Sequence, residues 1–259
     1  MMSESIPLRF AEPGQVVRLR ELTGRDEYSV DNVDTASAID LLSKLLRHSA
    51  DSQTSVRAVE LVGSDRDRLL AVVYKHAFGD RIESTLSCVR CGQPFNLNFS
   101  LQQLMESINS AKRSGEWTDL AQGQFETAQG LKFRLPTGQD ELAIAGKSVA
   151  EAESLLFERC VEGDAATEER IAFEELLEQV APLIDLELVA NCAECGHVHT
   201  VQFDIQTYLL GAILSERRSL LSDINCIARA YSWSLDEILS LARSDRRHLV
   251  ELIENLSVA

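Results

Sequence analysis

Six cysteines occur in the chain, and four of them form two Cys-x-x-Cys pairs, Cys88/Cys91 and Cys192/Cys195. A glycine, Gly92 or Gly196, follows each pair directly. Four thiolates suit zinc, which takes sulfur ligands in a tetrahedron. The glycine lets the chain reverse while backbone N–H groups approach the sulfurs. One pair supplies half a tetrahedron, so the two pairs must meet at one ion. The expectation is one structural Zn2+ per chain, held by Cys88, Cys91, Cys192 and Cys195. Four sulfurs leave no open position for water, so catalysis at the metal is not expected. The gap from Cys91 to Cys192 far exceeds the roughly 15–20 residues of ordinary ribbon motifs. The alternatives are unpaired buried thiols or a thioredoxin-like redox pair, but a redox pair opens a helix, whereas Phe95, Asn96 and Leu97 continue in strand pattern. Cys160 and Cys226 stand alone inside helical patterns and read as small buried hydrophobes.

The long gap has an explanation in the surroundings of the two pairs. Glu83, Cys88, Cys91, Gly92, Phe99 and Gln102 match Glu187, Cys192, Cys195, Gly196, Phe203 and Gln206 at a constant offset of 104. Upstream, VRLRELTGRDE (Val17–Glu27) matches LKFRLPTGQDE (Leu131–Glu141) at an offset of 114. The order is the same in both halves, which implies an internal repeat of about 90 residues, the second copy the shorter. His197 and His199 lie near Cys195, but their counterparts are Gln93 and Phe95, so surface or strand roles are expected for them.

Local patterns supply the elements. Val17/Leu19 and Leu131/Phe133/Leu135 alternate with basic residues, the period of a half-buried strand. Thr23 and Thr137 stand three residues before Asp26 and Asp140, as in a capping box. Ala38, Leu41, Leu42, Leu45 and Leu46 make one helical stripe; a second helix is capped by Ser64 and ended by Gly79. The second copy should carry helices from about Val149 to Cys160 and Glu168 to Val180. Strands enter each cysteine pair and leave it over Phe95–Phe99 and Val198–Phe203. Ile205 to Tyr231 fits one long amphipathic helix, Ser234 opens a short one, and Ser244 opens the last, with Leu249, Leu252, Ile253 and Leu256 on one face. The expected fold is therefore α+β: duplicated strand–helix–helix–strand–zinc knuckle–strand units joined at a four-cysteine ribbon-like site, then a C-terminal helical bundle. Expected boundaries are an arm (1–14), repeat 1 (15–108), a polar linker (109–123), repeat 2 (124–204) and the helical region (205–259).

Composition removes several functions. With 25 basic against 41 acidic residues, the formal charge of -16 repels phosphate backbones and anionic lipid, so no nucleic acid partner is expected. A zinc-ribbon nucleic-acid module would want a basic face at the knuckles; Arg90 fits, but Glu194 takes its place in the second copy. No stretch approaches the roughly 18 apolar residues of a membrane span, and Met1–Glu12 lacks the apolar run of a signal peptide. A cytosolic origin with reduced cysteines is expected. P-loop, GxGxxG, GxSxG and HExxH motifs are missing. His48 and His76 fall near helix ends, and Glu168, Glu169, Glu174 and Glu175 on a solvated helix face. Arg243, Arg246, Arg247 and His248 form a basic cluster that is expected to balance neighbouring acids; Tyr231 and Trp233 suit packing or partner anchoring.

From VRLRELTGRDE through CVRCG, FRLPTGQDE and CAECGH to INCIARAYSWSLDEILSLARSDRRHLVELI, the chain resembles the T-even-type phage baseplate protein family. The resemblance spans roughly Val17 to Ile253 and is most distinctive at Ala228-Arg229-Ala230-Tyr231-x-Trp233-Ser234-x-x-Glu237-Ile238. It implies a non-enzymatic part of a contractile phage tail or tail-like injection system. Its partners would be other baseplate, hub, spike or tape-measure proteins, with no membrane insertion and no small-molecule substrate. Assembly would take place in the bacterial cytoplasm. An assembly chaperone that leaves the finished particle is the alternative; a thiol-dependent enzyme ranks below both.

Overall fold

The computed structural model describes residues 5–12, 14–47, 56–110, 117–121, 123–163 and 167–258. Strands β1 (Ile6–Pro7) and β2 (Val16–Leu19) lead to α1 (Gly24–Ser29) and α2 (Thr35–Leu45), and β3 (Leu46–Arg47) returns to pair with β2. A 3-10 turn, Ala58–Glu60, precedes α3 (Gly63–Phe78), the hairpin β4 (Arg81–Ser87) and β5 (Pro94–Ser100), and α4 (Leu101–Ser110). Next come β6 (Trp117–Ala121), β7 (Gln124–Thr127), β8 (Lys132–Arg134), α5 (Gly138–Ile144), α6 (Val149–Cys160), β9 (Val161–Glu162) and α7 (Thr167–Val180). A second hairpin, β10 (Asp185–Asn191) and β11 (Val198–Asp204), runs into α8 (Ile205–Ser215), followed by α9 (Arg217–Tyr231), α10 (Leu235–Ser240) and α11 (Arg243–Val258). All pairings are antiparallel, in sheets β1-β2-β3, β4-β5, β6-β7-β8-β9 and β10-β11. The elements β2 to α4 and β8 to α8 run in the same order.

The two Thr-Gly-x-Asp-Glu segments do open helices, and their geometry agrees closely. Thr23 and Thr137 each form a capping box, with Asp26 and Asp140 accepting from the threonine backbone N–H at 2.9 Å. The strand arginine holds the same carboxylate with two bonds: Arg20 on Asp26 at 2.5 and 2.7 Å, Arg134 on Asp140 at 2.6 and 2.8 Å. Burial by itself would raise both carboxyls, but these bonds hold them below the ordinary aspartate range.

Side-chain periodicity divides the interior into three parts. The largest core gathers Leu41, Leu42, Leu45, Leu69, Leu70 and Ile82 with Ile205, Leu209, Leu210 and Ile213 of α8. Phe10, Phe125, Phe133, Phe157 and Phe173 build a second, aromatic core, which also takes in Cys160. Burial pushes the Cys160 thiol up to about 11, consistent with an inert packing role. The third core is small: Cys88, Phe95 and Cys192, with Leu86, Ala190 and Cys195 packed against them.

Several expectations need correction. Ile205–Tyr231 is two helices, broken at Glu216 (φ -88°, ψ 3°). There the Glu216 carboxylate accepts from Arg243 and, at 2.6 Å, from Arg247 of α11, so α8 stays in the core while α9 turns out to pack on α11. Val62, not Ser64, is the residue before α3, and Ser64 is buried within its first turn. Trp117–Ala121, inside the polar segment read as linker, is a strand paired with β7. On α11, Leu249 and Ile253 are half-buried, but Leu252 and Leu256 are 42% and 76% exposed. Among the described residues no helix is long and apolar enough to cross a membrane. His48 and the side chains of Glu168 and Glu169 lie outside what is described; Glu174 and Glu175 are exposed.

Candidate metal centre

The two hairpins present their cysteines from matching turns. At the end of β4, the Cys88 N–H donates to the Gln93 carbonyl at 2.9 Å and the Gly92 N–H donates to the Cys88 carbonyl at 2.8 Å. At the end of β10 the same two bonds join Cys192 to His197 and Gly196 to Cys192, both at 2.9 Å. Gly92 and Gly196 take φ values of 72° and 67°, the left-handed region in which a side chain is strained. In the first turn the Arg90 and Cys91 backbone N–H groups point at the Cys88 sulfur.

Packing of the hairpins brings the four sulfurs together. Phe99 of β5 meets Phe203 of β11 edge-on at 5.0 Å. The Tyr208 hydroxyl, on α8, donates to the Glu83 carbonyl at 2.7 Å and accepts from the Glu83 N–H at 3.2 Å. At the tips, Cys88 Sγ lies 3.6 Å from Cys195 Sγ and Cys91 Sγ 3.8 Å from Cys192 Sγ. All four sulfurs fall within 4.8 Å of one another. These separations exceed the roughly 2.05 Å of a disulfide. A tetrahedron with zinc–sulfur bonds of ~2.3 Å has edges of about 3.8 Å. The four cysteines could hold a metal ion. Cys88 and Cys192 are buried, Cys195 is half-buried and Cys91 is exposed, so the cluster reaches the surface at Cys91.

Thiolate chemistry is already favoured at Cys88. Burial opposes ionisation, but the Cys91 and Arg90 backbone N–H groups and the His199 imidazole bring its thiol down to about 5. Cys91 accepts from the Gln93 backbone, which favours ionisation, yet burial and the neighbouring sulfurs push it up to about 12. Crowded thiols titrate as a set, and the first thiolate disfavours the next.

His199 lies in β11, within the strand role expected for it, and adds a contact to the sulfurs. Its Nε2 lies 3.3 Å from Cys88 Sγ, and its ring stacks on Phe95 at 4.6 Å. It bridges the hairpins through the same strand position that Phe95 occupies in the other. The alternation of β11 carried the signal: His199, Val201 and Phe203 share its inward face. His197 packs edge-on against His199 at 4.9 Å.

The basic cluster divides into two buried arginines, Arg243 and Arg246, and the exposed Arg247 and His248. Arg243 and Arg246 are 6% and 1% exposed, and each meets Glu27 at 2.5 Å. Arg246 also reaches Asp223 at 3.3 Å, and Arg243 stacks over the Phe78 ring at 4.4 Å. Tyr231 and Trp233 are 41% and 38% exposed, their rings 5.3 Å apart.

A mixed α/β chain with two cysteine hairpins closed on each other is thus the class that fold and site define. The chain belongs to the T4 bacteriophage base plate protein family, whose sequence model matches residues 6–181. That stretch contains Cys88 and Cys91 and ends before Cys192 and Cys195. No curated protein and no solved structure matches the chain.

Proposed function

We propose that the chain is a non-enzymatic structural component of the baseplate of a contractile phage tail or tail-like injection system, binding other tail proteins. The family match over residues 6–181 is the observation that carries this reading. In the same reading the chain is a duplicated unit, with repeats over 15–108 and 124–204 and a helical region from 205. The shared element order and the two identical cysteine turns support the duplication.

One structural Zn2+ per chain, held by Cys88, Cys91, Cys192 and Cys195, would join the tips of the two hairpins. The sulfur spacing and an all-thiolate donor set fit zinc in a closed structural site. Bound there, the ion supplies a cross-link between residues more than a hundred positions apart. Phe95 packs among the cysteines, and His199 stacks on Phe95 and reaches Cys88 Sγ.

Quantitative mass spectrometry of purified contractile particles, set against the whole lysate, tests the assignment. A fixed ratio to the spike protein is the expected result. Abundance in the lysate with absence from particles, together with failed assembly on deletion, would make the chain a departing chaperone instead.

A further inference from the structure

Two distant joints in the molecule are built alike. In one, the start of α3 docks on the Thr137–Glu141 turn: the Gly138 N–H donates to the Leu61 carbonyl at 3.0 Å, Val62 bridges Thr137, and Arg66 meets Glu141 at 2.8 Å. In the other, the start of α11 docks on the Thr23–Glu27 turn: the Gly24 N–H donates to the Leu241 carbonyl at 3.2 Å, Ala242 bridges Thr23, and Arg246 meets Glu27 at 2.5 Å. The receiving glycines share a reason. A Cβ on Gly138 would lie 3.2 Å from the Val59 carbonyl oxygen, and one on Gly24 3.3 Å from the Leu239 backbone. Both arginines are buried, at 4% and 1% exposure.

The docking segments match in sequence as well. Leu61, Ser64, Asp65, Arg66 and Leu69 correspond to Leu241, Ser244, Asp245, Arg246 and Leu249 at a constant offset of 180. This offset belongs to neither cysteine pair, and α10 and α11 lie beyond residues 6–181, which the family model matches. A short connection joins the second segment to α9, on which it also packs. Ser232, between α9 and α10, is the non-glycine residue with positive φ (56°) among those described, and the neighbouring Tyr231 and Trp233 are exposed.

We propose that Thr23–Glu27 and Thr137–Glu141 are two copies of one peptide-docking site. Its ligand is a helix start of the form Leu-x-x-Ser-Asp-Arg. The C-terminal segment is then a tethered ligand that fills the first site in cis, and the segment before α3 fills the second. Recognition comes from the glycine N–H, which takes the leucine carbonyl, and from the glutamate, which takes the buried arginine.

The test uses the full chain carrying Arg243→Ala and Arg246→Glu, which releases the tail, and a fluorescent peptide spanning Trp233–Ile253. The peptide should bind this variant at one to one. Wild type should bind it at least about ten-fold more weakly, because its own tail competes at a roughly millimolar effective concentration. A peptide spanning Arg57–Val73 should compete for the same site. A folded variant that ignores both peptides, or binds an Arg246→Glu peptide equally well, overturns the proposal. If the released variant does not fold, a graft replacing residues 241–249 with LVGSDRDRL decides. Slow hydrogen exchange retained in α10 and α11 supports interchangeable ligands, and exchange as fast as in the free peptide overturns them.

Discussion

In the first half, Leu41, Leu42, Leu45, Leu69 and Leu70 of α2 and α3 are at most 1% exposed and interlock in the largest core. In the second half, α6 and α7 contribute Phe157, Phe173 and Val180 to a smaller aromatic core, and Leu156, Leu176 and Leu177 are only partly buried. The apolar helix that follows the second hairpin, α8, packs into the first half's core. Elements that agree in order and in backbone thus need not share their source of stability. Buried ion pairs occur in both halves, at Asp26 with Arg20 in the first and at Asp140 with Arg134 and Arg159 in the second, so the difference between the halves lies in their apolar cores.

The strongest challenge to that comparison is the point where the halves are equal. Cys88→Ser and Cys192→Ser should each abolish metal binding and cooperative folding, since structural zinc contributes on the order of 10 kcal/mol. Elemental analysis with thermal melts, with and without a chelator, reads this; a metal-free wild-type chain that melts cooperatively would sink the zinc assignment.

Next in size is the lent helix. Leu209→Ala in α8 should cost about 3 kcal/mol, as much as Leu42→Ala in α2, because both side chains are 0% exposed in one core. Leu176→Ala in the aromatic core should cost about half that. Urea denaturation giving Leu176 the larger effect would reverse the ranking of the halves.

A pH dependence tests the seam. Asp67 of α3 is 3% exposed and accepts from the Ile184 N–H at 2.9 Å. Burial pushes its carboxyl up to about 7, with Arg66 opposing and Asp204 and Glu141 adding to the rise. A folded pKa above the unfolded one means the contribution is favourable below about pH 4 and lost as pH rises through 7. Asp67→Asn should therefore gain about 2–3 kcal/mol relative to wild type between pH 5 and pH 8. A flat difference across that range contradicts the assignment.

The smallest effect separates the two cysteine turns. His199→Phe makes β11 like β5 and removes the contact to Cys88 Sγ. Zinc release to a chromogenic chelator under alkylation should quicken by roughly three- to ten-fold, a change of about 1 kcal/mol, with the melting temperature nearly unchanged. Equal release rates would leave His199 a packing residue.

Much of this was legible in the sequence for physical reasons. Alternation placed β2, β5 and β11, because one face of each hairpin is buried. Capping boxes located α1 and α5, since Asp26 and Asp140 act within three residues of their threonines. The cysteine spacing brought out all four sulfurs through the matched surroundings of the pairs. What stayed hidden depends on partners distant in sequence. The break at Glu216 follows from arginines 27 and 31 positions away. The burial of Arg243 and Arg246 needs Glu27, more than two hundred residues earlier. No local pattern encodes such pairings.

The separation of the two cysteine turns also bears on the timing of folding. Cys88 and Cys195 are 107 positions apart, so a chain emerging from the ribosome must keep its first turn half-complete until the second arrives. Closing a loop of that length costs about 4 kcal/mol of chain entropy. Until Cys192 and Cys195 are made, Cys88 and Cys91 have only each other as sulfur neighbours, so the cluster is among the last parts of the fold to be completed during synthesis.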